Sequence, residues 1–262
     1  MILNLKGKTA IVCGSTQGIG KASAIELAKL GARVILCARN EASLQKTMNE
    51  LDTAEEQVHG YIVADFSEPA EVKSVIDNWV SENGGAHILV NNTGGPAAGS
   101  VLEADPKAFL EAFSAHLICN QYLVQALVPY MKQEKYGRII NIISTSVKAP
   151  IVGLGVSNTT RGAVASWAKT LATELAADGI TVNNVLPGLT MTGRLQSIID
   201  TRAEAQGITS EKMAEQMKAG VPARRFAEPK EVANSVAFLA TPEAAFINGI
   251  NLPVDGGSTP SL

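Results

Sequence analysis

The sequence predicts an α/β protein built on one doubly wound parallel sheet with helices on both faces. Three observations carry that prediction. Apolar runs of strand length alternate with helix-periodic segments along the whole chain; the first strand-to-helix junction is the glycine loop Cys13-Gly14-Ser15-Thr16-Gln17-Gly18-Ile19-Gly20; and no linker, repeat or low-complexity stretch divides the 262 residues. A single domain over 1–262 is expected.

Each element has its own signal. Residues 9–12, Thr-Ala-Ile-Val, form an apolar run that reads as a buried parallel strand, and Ala22, Ile25 and Ala28 recur at helical spacing over 21–30. Such a junction offers unpaired backbone N–H groups and the positive end of a helix dipole to an anion, and its glycines let a pyrophosphate come close. A dinucleotide is the natural ligand, although glycines at 14, 18 and 20 do not follow the G-x-G-x-x-G spacing. Gly31 ends the helix, and a second strand over 33–37 runs into Ala38-Arg39-Asn40. A third strand is expected over 58–63, with Asp65 just past its end. Pro69 in a first turn, acids at Glu68 and Glu71, and the stripe Val72, Val75, Ile76 and Val80 predict a helix over 69–82.

The fourth strand, 87–90, leads into Asn91-Asn92-Thr93-Gly94, where side-chain amides can satisfy backbone groups as the sheet opens. A long helix over 106–134 contains Pro129, which predicts a kink or early end there. The fifth strand, 137–143, runs into Ser144-Thr145-Ser146, and a helix over 158–177 is broken by Asp178-Gly179. The sixth strand, 181–186, ends in Pro187-Gly188. Residues 190–220 are polar and helix-prone, with Leu195, Ile198, Ile199, Met213 and Met217 as apolar members; a helix over 229–240 and a last strand through Val254 close the chain. In open sheets of this kind ligands bind beyond the carboxyl ends of the strands, where Gly14 to Gly20, Asn91, Ser144 and Pro187 all fall.

Composition narrows the function classes. With 46% apolar and 18% charged residues the chain reads as globular, and a net charge of -3 without a Lys/Arg cluster offers no footprint for nucleic acid or an anionic membrane. Residues 1–8 carry charge where a secretory signal needs an apolar region, and no apolar run is long enough to span a bilayer, so a cytoplasmic location is expected. Cys13, Cys37 and Cys119 and His59, His87 and His116 are scattered, so no metal site is expected.

The motifs together resemble those of the short-chain dehydrogenase/reductase family, in order and over nearly the whole chain. The first loop resembles its T-G-x-x-x-G-x-G with Cys13 in place of Thr; Asn91 to Gly94 resemble its N-N-A-G with Thr93 in place of Ala; Pro187 to Thr192 match P-G-x-x-x-T; and Val254 to Gly257 match its V-D-G-G ending. The resemblance implies a Rossmann-like sheet and a nicotinamide cofactor held by Gly14, Ser15, Gln17, Gly18, Ile19 and Gly20, by Arg39, Asp65 and Phe66 on the adenosine side, and by Asn92, Gly94, Arg161, Pro187, Gly188, Thr190 and Thr192. Ala38 stands where NAD-preferring members carry Asp and Arg39 follows it, which points to NADP, with NAD also open. It further implies a small carbonyl or alcohol substrate, a substrate lid over 190–220 and a homotetramer resembling the β-ketoacyl carrier-protein reductases.

The catalytic positions depart from the family pattern. Ser144 matches the family's Ser, but the positions of its Tyr and Lys hold Ser157 and Arg161, and that of its helix Asn holds His116. No tyrosine follows Tyr136, so a shifted Tyr cannot take the role. A Ser hydroxyl is too weakly acidic to replace a phenol of pKa ~10, and Arg161 can bind and polarise but not relay a proton. His116, which titrates near neutrality when unperturbed, or a bound water is then the expected proton source. Two classes of function follow: an NADP-dependent oxidoreductase with an atypical active site, or a dinucleotide-binding pseudoenzyme acting as a sensor or non-catalytic subunit. An acyl thioester, a sugar and a small ketone all remain open as substrate, and Arg194 or Arg202 could meet an acidic one.

Overall fold

The computed structural model describes residues 3–261. Seven parallel strands form one sheet in the order β3-β2-β1-β4-β5-β6-β7, where β1 is Thr9–Cys13, β2 Arg33–Ala38, β3 Gly60–Val63, β4 Ile88–Asn91, β5 Gly137–Ile142, β6 Ile180–Pro187 and β7 Asn251–Val254. The strand order reverses between β1 and β4, which opens a crevice at the carboxyl ends of both.

Side-chain alternation along the strands explains the two cores. Ala10 and Val12 face α1 (Gly18–Lys29), α2 (Glu41–Met48) and α9 (Pro229–Leu239), packing with Leu27, Leu44, Val232 and Val236. Ile11 and Cys13 face α3 (Pro69–Asn83), α5 (Cys119–Gln133) and α6 (Gly155–Leu175), packing with Ile76, Leu123, Leu127 and Ala168. The cysteines are buried among these apolar groups, and burial pushes the Cys119 thiol up to about 12.

A ladder of asparagines crosses the sheet at its carboxyl end. Asn91, Asn141, Asn184 and Asn251 lie side by side in register on β4, β5, β6 and β7. Each Nδ2 donates to the next Oδ1 at 2.8 Å, from Asn91 to Asn141, Asn141 to Asn184 and Asn184 to Asn251. The chain of amides satisfies the oxygens of Asn141, Asn184 and Asn251, while the buried Oδ1 of Asn91 at its start has no hydrogen-bond partner.

Four local expectations need correction. The long helix is interrupted not at Pro129 but at Ser114–Ile118, a π-helical turn between α4 (Pro106–Phe113) and α5. Pro129 is tolerated because it and Gln125, whose carbonyl loses its partner, are both exposed to solvent. The third strand begins only at Gly60: Val58 is exposed, and the His59 ring accepts from the Val34 N–H. The short helix α2, capped by Asn40 through Ser43 N–H, had no separate signal in the sequence reading, and α6 starts three residues early, at Gly155. Among the described residues no helix is long and apolar enough to cross a membrane.

Candidate active site

The β1–α1 turn is shaped by its neighbour as much as by any ligand. Gly14 and Gly18 take φ of +58° and +55°, in the left-handed region that favours glycine. A Cβ on Gly14 would lie 2.5 Å from the Asn92 carbonyl oxygen, and one on Gly20 2.2 Å from that of Gly14. Asn92 Nδ2 donates to the Cys13 and Gly14 carbonyls, both at 3.2 Å, so the end of β4 is stitched to this turn. Gln17 precedes α1 without a side-chain cap and no acid occupies the first turn, leaving the positive end of the helix uncompensated by the chain. That end fits a pyrophosphate. Ser15 is fully buried, and its Oγ accepts from Cys37 N–H at 3.0 Å. Ile19 likewise packs on the core beneath α1.

On the far side of the turn, Arg39 is exposed at the end of β2, with no carboxylate within ion-pair distance among the described residues. Asp65 accepts from the Ser67 N–H and hydroxyl, both at 2.9 Å, which hold its carboxyl below the usual range with help from the Arg39 charge. Phe66 packs on the second core, and its carbonyl accepts from the Cys119 thiol. An unpaired cation beside an ionised carboxylate at this edge suits a phosphorylated ribose and an adenine.

Toward the middle of the cleft, Gly94 faces open space. Pro187 ends β6, and Gly188 must be small because its Cβ would lie 2.6 Å from Asp255 Cα. Thr190 is buried and spends its hydroxyl on the Gly188 carbonyl at 3.1 Å. Thr192 caps α7 (Gly193–Gln206) by accepting from Leu195 N–H, while its Cγ2 lies 3.2 Å from where a Gly18 Cβ would stand. The segment 190–220 is thereby tied to the glycine loop; within it α7 and α8 (Ser210–Ala219) share a core of Leu195, Ile199, Met213 and Phe226.

The remaining wall carries the chemistry-bearing side chains. Ser144 follows β5 and accepts from Ser146 N–H at 3.1 Å, which leaves its own hydroxyl proton for another acceptor. His116 sits inside the π-helical turn, buried, with Nδ1 against Thr93 Oγ1. Local widening of a helix re-aims a side chain, here toward the end of β4. Burial, and then the nearby Arg161 charge, lower the His116 pKa to about 3, so an imidazolium is not populated near neutrality. The expectation that His116 titrates near neutral pH is corrected accordingly. Ser157 is half-buried one turn before Arg161 on α6. Arg161 is buried, donates from Nη1 to the Ile142 carbonyl at 3.2 Å, and has its pKa lowered to about 10 by burial and then by Arg194; it remains a cation at neutral pH.

Sequence reasoning did not foresee how Arg161 meets Arg194. Both guanidinium groups place an Nη2 3.7 Å from the position a Gly95 Cβ would take, and Arg194 also donates to the Pro96 carbonyl at 2.7 Å. No local signal announces this, because the two arginines belong to different helices and meet over a third segment. Ser144, Thr145, Pro187, Gly188, Arg194, Ile198, Arg202 and Met217 help line a cavity of about 780 Å³ at the ends of β5 and β6. Among the described residues no group of three His, Cys, Asp or Glu is placed to hold a metal ion.

Residues 14–259 match the family model described as Enoyl-(Acyl carrier protein) reductase. The chain is 34% identical over 258 residues to the 3-oxoacyl-acyl-carrier-protein reductase FabG of Vibrio cholerae, covering 97% of this chain and 98% of that one. Among solved structures, L-sorbose reductase from Gluconobacter frateurii, complexed with NADPH and L-sorbose, superposes with a TM-score of 0.93 at 31% identity over 100% of both chains. An actinorhodin polyketide ketoreductase with NADPH gives a TM-score of 0.89 at 31% identity, covering 97% of each.

Proposed function

This chain belongs to the short-chain dehydrogenase/reductase family, and we propose that it is an NADP-dependent oxidoreductase that interconverts a carbonyl and an alcohol with an atypical set of catalytic residues. The observation that carries the reading is Ser144, whose hydroxyl keeps a free proton and lines a cavity at the end of β5, in a chain whose α1 N-terminus is uncapped. NADPH-bound relatives and the unpaired Arg39 support NADP over NAD.

NADPH, which the turn from Gly14 to Gly20 with Arg39 and Asp65 would hold, would supply the hydride when bound. Ser144 donates a hydrogen bond to the carbonyl oxygen, and Arg161, charged and buried, stabilises the negative charge that grows there. A fixed cation in a dry wall acts more strongly than one in water. Ser157 cannot stand in for a phenol, and His116 is neutral, so the proton that completes the hydroxyl comes from water entering through the cavity. Neutral His116 braces Thr93 and the end of β4 against Arg161. Residues 190–220 act as the substrate lid, and the chain assembles as a homotetramer in the cytoplasm; light scattering on the purified protein tests the assembly.

The test of function is NADPH consumption with ketones, sugars and 3-oxoacyl thioesters, comparing the natural protein with the double variant Ser157→Tyr, Arg161→Lys. Turnover by the natural protein supports the proposal. Turnover by the double variant alone overturns it, and leaves a cofactor-binding protein whose pocket survives without its chemistry.

A further inference from the structure

Among the described residues the side chains that line the cavity carry positive charge only. Arg194 and Arg202 line it and no acidic side chain does. Among the described residues neither they nor Arg161 lies within ion-pair distance of a carboxylate, although nine Lys or Arg to carboxylate pairs form elsewhere among them. Asp200, two residues before Arg202, accepts from Gln196 and Ser210, and Asp255, which lies against Gly188, accepts from Thr259 and Gly257. Arg161 is buried and feels the charge of Arg194, which is itself exposed, and a buried cation without a counter-charge is costly unless a ligand brings one.

We propose that the substrate carries a carboxylate close to its reacting carbonyl, as in a 2-oxo or 3-oxo acid, and that Arg194 grips it while Arg202 adds attraction from further out on the same helix. The inference rests on the oxidoreductase reading and names its substrate class. Arg194 spends one of five N–H donors on the Pro96 carbonyl, leaving a free edge for a bidentate carboxylate. Arg194 and Ser144 line the same cavity, so one small molecule that holds its carbonyl at Ser144 can bring a carboxylate to Arg194. The phosphate of a carrier thioester is many bonds removed from the keto group and would fall outside this point. The cofactor's pyrophosphate has its own place at the start of α1, and Arg194 points instead at Gly95 and Pro96. Arg202, eight residues along α7, shares the face of Arg194 and Ile198 that looks into the cavity.

Acetoacetate, 3-oxohexanoate and 2-oxohexanoate, each paired with its methyl ester, are titrated calorimetrically into the NADP-loaded protein and assayed for NADPH oxidation. At least one acid is expected to bind about tenfold or more tightly than its ester. Arg194→Gln should erase that preference and raise KM for the acid, with the NADPH Kd unchanged; Arg202→Gln should lower affinity by a smaller factor that vanishes at high salt. Equal binding of acids and esters, no binding of any acid below about 10 mM, or loss of NADPH affinity in Arg194→Gln overturns the proposal. Turnover of esters alone defeats the carboxylate inference while leaving the oxidoreductase standing; binding of acids with no turnover does the reverse.

Discussion

The β1–α1 turn and the α5–α6 wall face the same cleft, but the first holds its shape with backbone and glycine while the second depends on side chains. In the turn, Asn92 amide bonds and the tight approach of Gly14 and Gly20 leave no room for variation, and the family's pattern is kept there almost residue for residue. In the wall, Ser144, Ser157, Arg161 and His116 project from a stable framework of β5, α5 and α6. Arg161 also bonds the Ile142 carbonyl of β5, so its exchange would reach the sheet, whereas Ser157 is bound to no strand among the described residues.

That contrast breaks first if the turn tolerates change. Gly20→Ala would force a Cβ against the Gly14 carbonyl, and about 3 kcal/mol of stability should go with it, together with measurable NADPH binding, in urea unfolding and fluorescence titration. A variant that folds and binds normally would show the turn to be softer than its contacts imply. Next in size, Ser144→Ala should lower kcat about 100-fold with NADPH affinity held, because it removes the proposed hydrogen bond to the developing oxyanion, while loss of the acceptor for Ser146 N–H should cost about 1 kcal/mol of stability. A parallel loss of NADPH binding would join the two regions into one.

His116 sharpens the comparison through pH. Its folded pKa, about 3, lies below the ~6.5 of an unfolded histidine, so between those values the unfolded chain binds the extra proton and stability falls as pH falls. From pH 7 to pH 5 the native protein should lose about 2 kcal/mol that His116→Asn retains, read from urea midpoints at both pH values. The rate of carbonyl reduction should show no break near pH 6.5 from this residue. The smallest effect belongs to the edge of the turn: Arg39→Ala should weaken NADPH about tenfold while leaving NADH unchanged, measured as a ratio of Kd values.

Much of this was legible in the chain. The strand-length apolar runs and the glycine loop mark seven strands in chain order, and Asn91, Ser144 and Pro187 stand at or just past strand ends as the sequence predicts. What could not be read depends on partners distant in sequence. Ser15 turns inward because Cys37 N–H, on the neighbouring strand, needs an acceptor. Pro129 looked like a break, but its freed carbonyl faces water, whereas the real break at Ser114–Ile118 has no proline or glycine to announce it. The His116 pKa follows from a burial and a neighbouring cation that only packing creates. Arg194 read as one of two lid arginines until its meeting with Arg161 was visible.

The asparagine ladder gives the sheet a gauge. Side chains on a strand alternate faces, so a slip of one residue by β5 would turn Asn141 to the wrong side and break both amide bonds at once. Asn92 and Ser144 leave their strands within three residues of a rung, as does Pro187, so their mutual spacing is inherited from a crossbar already set before any ligand arrives. Replacing a rung by an apolar residue of similar size would leave every catalytic group present. It would shift where they stand, and because a misplacement of about 1 Å can cost roughly 100-fold in rate, the damage would register as slow turnover in a protein that still folds.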